Sequence, residues 1–150
     1  MFTIIIPTLN NLKYLKFCIE SIKKSSNLNN EILVHVSEDK KKFTREYLLK
    51  ENIKYTYTDE NVGLCTAINT AAKKALNQYL IYSHDDMYFC PNWEAPLMNE
   101  INKLKHNNFY FSGSMIEPNS GHIKFNCGEN LETFNEKKLL ENLKNLNIDD

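Results

Sequence analysis

FTIIIPTLNNLKYLKFCIESI, residues 2–22, changes its hydrophobic period once, and that change decides the fold class. Phe2 to Ile6 is an apolar, β-branched run, the pattern of a buried strand. Pro7 ends it, and Asn10 or Asn11 can cap a helix after it. Leu12, Leu15, Ile19 and Ile22 then recur at helical spacing, with Cys18 on the same face. A buried strand thus passes directly into an amphipathic helix.

The alternation continues along the chain. Ile32 to Val36 reads as a second buried strand. Phe43 to Lys50 reads as a short helix with Phe43, Tyr47 and Leu48 inward. Ile53, Tyr55 and Tyr57 alternate as a third strand, one face of it more exposed. After a loop over Thr58 to Gly63, the alanine-rich Leu64 to Leu76 reads as a helix and Tyr79 to Tyr82 as a fourth strand. Glu94 to Lys105 predicts a helix with Leu97, Ile101 and Leu104 inside, and Phe109 to Phe111 a fifth strand. Asn119, Ser120 and Gly121 form a turn between two short strands, and Glu136 to Leu146 is helical. The order β-α-β-α-β-α-β-α-β predicts an α/β fold: a mostly parallel central sheet between helices, a three-layer sandwich. Ligands of such sheets sit beyond the carboxyl ends of the strands. That rule selects Pro7 to Asn11, Ser37 to Asp39, Thr58 to Gly63 and Ser83 to Met87.

Composition narrows the function classes. The 150 residues make one domain's length, with 42% hydrophobic and 25% charged residues and a formal net charge of -1. No basic stripe stands out, so nucleic acid is not an expected partner. Cys18, Cys65, Cys90 and Cys127 form no CxxC pair, which argues against a zinc knuckle. No segment reaches the apolar length of a membrane helix, and Met1 to Pro7 is too short and lacks the basic leader of a signal peptide. The expected location is cytoplasmic, either free or peripheral at the inner membrane face.

Asp85 and Asp86 are the strongest chemical signal. Adjacent carboxylates at the end of a buried strand repel each other, and a hard divalent cation supplies the missing counter-charge. Mg²⁺ suits the two carboxylates, while Mn²⁺ also tolerates His84 as a ligand. The bland alternative is a pair capping the next helix. Asn61-Val62-Gly63, ahead of a helix carrying Asn69, is either a plain turn or a loop that approaches a phosphate. Trp93 either packs in the core or walls a sugar pocket, and His122 is a remote candidate metal ligand. There is no GxGxxG, no P-loop and no GxSxG elbow.

Three stretches together resemble family 2 glycosyltransferases. They are Ile4-Ile5-Ile6-Pro7-Thr8-Leu9-Asn10-Asn11, Glu60 to Leu64 with Ala67-Ile68-Asn69, and Tyr79 to Trp93 with its DxD-like acidic motif and Pro-x-Trp. The resemblance covers roughly residues 1–116. It implies the GT-A fold, a Rossmann-like half that binds a sugar nucleotide, and residues 117–150 as a tail or the start of an acceptor region. Carried over by position, Asp86 is the principal metal ligand, with Asp85 and His84 beside it, and Asp85 also meets the ribose. Pro7, Thr8 and Asn10 line the base. Glu38, Asp39, Asn61, Gly63 and Asn69 complete the nucleotide pocket. The implied activity is metal-dependent transfer of a sugar from a nucleotide-diphosphate sugar, a UDP-sugar favoured, to an acceptor hydroxyl of a glycan or other molecule, with inversion. No catalytic base emerges: Glu117, Glu129, Asp149 and Asp150 are only candidates. The rival reading is a non-catalytic or truncated nucleotide-binding domain of the same fold. A nucleotidyltransferase would need a Gly-rich, basic first loop, and Thr8 to Leu12 has neither Gly nor Arg.

Overall fold

A computed structural model of the chain describes residues 1–145. It divides into two compact units, Met1–Glu100 and Ile101–Asp150.

The first unit is built on a four-stranded sheet of β1 (Phe2–Leu9), β2 (Glu31–Ser37), β3 (Lys54–Thr58) and β4 (Tyr79–Tyr82). The order is β3-β2-β1-β4 and every pairing is parallel. Successive side chains of a strand point to opposite faces, so β1 feeds two cores at once. Ile4 and Ile6 pack with Val34 and Val36, with Leu15, Cys18, Ile19 and Ile22 of α1 (Leu12–Ser25), and with Leu48 of α2 (Phe43–Lys50). Ile5 and Leu33 face the other way, onto Ala71, Ile68 and Ala72 of α3 (Leu64–Ala72). The result is the expected three layers. Small alanines on α3 let that helix lie close to the sheet.

Strand order positions the site. β1 leads by one crossover to β2 on one side, and the later β4 lies on its other side. The order therefore reverses between β1 and β4, and the crevice beyond their carboxyl ends is where such sheets hold ligands.

Several local expectations are corrected. β1 does not end at Pro7; it runs on to Leu9, with Pro7 opposite His35. The pairing with β4 has stopped by then, because it ends at Ile5–Tyr82, after which Ser83 N–H donates to the Ile5 carbonyl at 3.0 Å. Residues two apart on a strand point their amides the same way, so Pro7 presents its missing N–H to the side where β4 has already ended, and no ladder bond is lost. The helix expected to reach Leu76 ends at Ala72, where Lys74 and Ala75 N–H tighten onto the Ala71 and Ala72 carbonyls. Phe43, expected inward, is 59% exposed, while Leu48 is buried and Tyr47 packs against the core.

α4 (Glu94–Lys103) spans the division between the units. The second unit contains the two-residue strands β5 (Ile116–Glu117) and β6 (Ile123–Lys124), paired in parallel, and α5 (Glu136–Asn142) followed by a 3₁₀ turn, Leu143–Asn145. Gly121 lies in the connection, and an added Cβ would meet the Met115 carbonyl oxygen at 2.6 Å. Phe109 to Phe111 is not a strand, and the Phe109 and Phe111 rings meet at 5.2 Å. Leu146, expected at the end of the last helix, lies outside the described residues, as do Asp149 and Asp150. Among the described residues, no helix is long and apolar enough to cross a membrane.

Candidate functional site

The site is assembled at the β1–β4 crevice. Ser83 is buried, and its hydroxyl donates to the His84 carbonyl at 2.9 Å. The Cys18 thiol of α1 points at that same carbonyl, 3.7 Å away. Burial pushes the Cys18 thiol up to about 12, so it stays neutral and serves packing. Further along, Ser21 Oγ accepts from Phe89 N–H and Ser25 Oγ donates to the Phe89 carbonyl, both at 2.9 Å. The segment after β4 is therefore stitched to α1, and Asp85 and Asp86 leave the sheet at a defined place.

Asp85 is half-buried and held from β1 and the loop after it. Thr8 Oγ1 donates to its Oδ2 at 2.5 Å, and Asn11 Nδ2 to its Oδ1 at 3.0 Å. Its pKa is raised, first by desolvation, with the Thr8 and Asn11 hydrogen bonds acting against that and the Asp86 charge adding to it. Asp86 is exposed. His84 is exposed too, with Nε2 2.8 Å from the Tyr82 hydroxyl. Among the described residues, no three His, Cys, Asp or Glu side chains converge as a metal-ligand set, so His84, Asp85 and Asp86 are not gathered as a triad. His122 lies in the second unit, where its Nδ1 accepts from Met115 N–H at 3.1 Å. Asp85 and Asp86 remain a donor set that suits a hard divalent ion, since such ions take one or two carboxylates and complete their shell with substrate phosphate.

The other candidates surround loops two and three. Asn10, Leu12, Glu38, Asp39, Phe43 and Thr44 are among the residues lining a cavity of about 390 Å³ beside the ends of β1 and β2. Asn10 and Glu38 both adopt φ of 53°, an uncommon conformation for residues other than glycine. Glu38 Oε1 accepts from Asn61 N–H at 3.1 Å, which ties loop two to loop three. Asn61 Oδ1 in turn accepts from Gly63 N–H at 3.0 Å. Gly63 sits at φ 75°, and a Cβ there would meet nothing within 4 Å, so backbone conformation and not close approach calls for glycine. Asn69 is exposed on α3.

Asp39 occupies a different environment from Asp85. It is 5% exposed, and its carboxylate accepts from Arg45 N–H at 2.9 Å, Thr44 N–H at 3.4 Å and Arg45 Nε at 3.3 Å. It anchors the start of α2, whose N-cap residue Lys42 makes no side-chain cap. Arg45 also lies over the Tyr57 ring, 3.8 Å from its centroid. Trp93 packs its ring against Phe2 at 5.7 Å and Phe89 at 5.2 Å, the core alternative. Sequence reasoning gave no such part to Asn11, Arg45 or the buried Glu94. Glu94 accepts from Asn27 and Leu28 N–H and from the Asn30 amide, holding the loop between α1 and β2. Nothing in a single sequence pairs Asn11 with Asp85 or Glu94 with Asn27, residues 74 and 67 positions apart.

Comparison with known proteins agrees with this architecture. Residues 3–149 match the family described as Glycosyl transferase family 2. The chain belongs to that family. It is 32% identical over 127 residues to an uncharacterized glycosyltransferase of Rickettsia typhi, covering 82% of this chain and 39% of that one. An uncharacterized glycosyltransferase of Rickettsia prowazekii is 35% identical over 104 residues, covering 68% and 32%. The chain thus spans well under half the length of these curated relatives. Among solved structures, S. aureus TarS 1–349 in complex with UDP superposes with a TM-score of 0.60 at 20% identity, covering 68% of this chain and 32% of that one. The mannosyltransferase PcManGT from Pyrobaculum calidifontis, in complex with GDP-Man and Mn²⁺, gives 0.54 at 19% identity, covering 70% and 32%. At such identities the likeness establishes the GT-A fold alone.

Proposed function

We propose that the β1–β4 crevice binds a nucleotide-diphosphate sugar, with a UDP-sugar favoured, and that the protein transfers the sugar to a hydroxyl of a glycan or other acceptor, inverting the anomeric centre. The observation that carries this reading is the state of Asp85, a carboxylate oriented by two neutral donors and, among the described residues, answered by no cationic side chain. Its charge remains available to a ligand. Asp39 is the contrast, since its carboxylate is answered by a guanidinium. Family membership and the UDP, UDP-GlcNAc and GDP-Man complexes of the structural neighbours support the class of donor.

In this reading Asp85 accepts hydrogen bonds from the ribose, and Asp86, with Asp85, holds Mn²⁺ or Mg²⁺. A bound divalent ion supplies positive charge against the charge that grows on the diphosphate leaving group. In the same reading Pro7, Thr8 and Asn10 meet the base, Glu38 edges the cavity that Asn10 also lines, and Asn61, Gly63 and Asn69 belong to the nucleotide pocket on the side of loop three. Residues 1–116 form the donor-binding part and the remainder begins an acceptor region. The location that goes with this reading is the cytoplasm, either free or peripheral at the inner membrane face.

Thermal unfolding with Mn²⁺ and each of UDP, GDP, CDP, dTDP and ADP tests the reading. A nucleotide at 100 times its Kd adds about 2.7 kcal/mol to stability. Stabilisation by one nucleotide, dependent on metal and lost in Asp86→Ala, supports the proposal. No stabilisation by any nucleotide overturns it.

A further inference from the structure

Asn11 is the N-cap residue of α1, yet its side chain makes no capping hydrogen bond. Asparagine at that position ordinarily accepts from an N–H of the first helical turn. Here the backbone carbonyl of Asn11 does start the helix, accepting from Leu15 N–H at 3.0 Å. The amide is spent elsewhere, on Asp85 Oδ1, a residue 74 positions away. Thr8, on the same side of the crevice, takes the other oxygen. Asn10, between them, holds φ of 53°. A stabilising cap has been given up and an uncommon backbone conformation adopted beside it, for one contact to a carboxylate.

We infer that Asn11 is a positioning residue for the donor site, its amide acting with the Thr8 hydroxyl to lock the orientation of Asp85 before any ligand arrives. This inference rests on the donor-site reading above. A carboxylate has roughly four lone-pair sites. Thr8 and Asn11 occupy one on each oxygen, which fixes the plane of the group. Both donors are neutral, so the orientation is set without spending the charge. A carboxylate free to rotate would have to be ordered at the moment of binding, and that cost would appear as weaker affinity.

Substitution at Asn11 separates this role from capping. Serine is as good an N-cap as asparagine but cannot reach Asp85 with an amide. Asn11→Ser gains a cap and loses the bond to Asp85, two effects of similar size, so without ligand it is expected to unfold within a few degrees of the wild type. Titration calorimetry with UDP or GDP and Mn²⁺ should nevertheless show up to about tenfold weaker binding, the scale of ordering one side chain at the moment of binding. Asn11→Asp, also a good cap, places a like charge beside Asp85 and should bind more weakly still. It serves equally if the serine variant does not fold. Wild-type affinity in either folded variant overturns the positioning role and leaves the donor site standing. Failure of the wild-type chain to bind any of these nucleotides overturns both.

Discussion

Asp39 is the residue on which sequence and structure point to different work, and its replacement by alanine weighs one against the other. By position in the chain it belongs with the nucleotide contacts. In the structure its carboxylate is 7% exposed and faces the start of α2 and the Arg45 guanidinium, itself 21% exposed. Removing a side chain that serves the first helical turn costs about 1 kcal/mol. Losing a hydrogen-bonded charge opposite Arg45 costs about 2 kcal/mol in a site this sheltered. The sum of about 3 kcal/mol corresponds to a drop of roughly 6–12 °C in Tm for a chain of this size. Calorimetry on Asp39→Ala near neutral pH measures it. Asp39→Asn keeps an acceptor for the Arg45 amide while losing the charge, and should recover about half the loss. An unchanged Tm in Asp39→Ala, combined with lost nucleotide binding, would refute the anchoring role and make Asp39 a ligand contact.

Three further outcomes are expected. Glu94→Ala strands the Asn27 and Leu28 amides and should lower stability in urea by about 2–4 kcal/mol with little change in m-value. Gly63→Ala forces a side chain to φ 75° in open space, so only backbone strain opposes it; a loss of about 1–3 kcal/mol is expected, measured by thermal melt. His35 is fully buried between Thr56 and Thr58, and desolvation lowers its pKa below the ordinary 6.5. The unfolded chain then binds this proton first, so the stability it contributes is present above pH 6.5 and is lost as pH falls from there toward the depressed folded value. His35→Gln should flatten the stability profile across that window, and an identical slope in both proteins would show that His35 is not the group responsible.

Legibility tracks the range of the interactions. Strand and helix types are readable where a period is sustained. Ile4-Ile5-Ile6 could only be a buried strand, and Leu15, Cys18, Ile19 and Ile22 could only be one helical face. The acidic pair is conspicuous because two carboxylates beside an apolar strand need a reason to be there. Boundaries are harder, since Pro7 reads locally as a stop; that it is harmless depends on where β4 ends, 75 residues later in the chain. Phe109 to Phe111 fails for a related cause. An apolar triplet has strand propensity, but a strand exists only when another chain segment pairs with it.

From the sequence by itself came the βα alternation, the buried first strand, the four loops that can meet a ligand, and the DxD-like pair with its family resemblance. Each is built from short stretches that are read within one turn or one strand and then taken in their order along the chain. Tertiary structure alone decided that Asp85 is held by Thr8 and Asn11. Asp39 and Asp85 are the same side chain at the end of a strand, but one meets Arg45 six residues on, and the other meets Thr8 and Asn11 across the switch point. Charge available to a ligand is a property of a carboxylate's surroundings, and those are set by strand order, which no local pattern encodes.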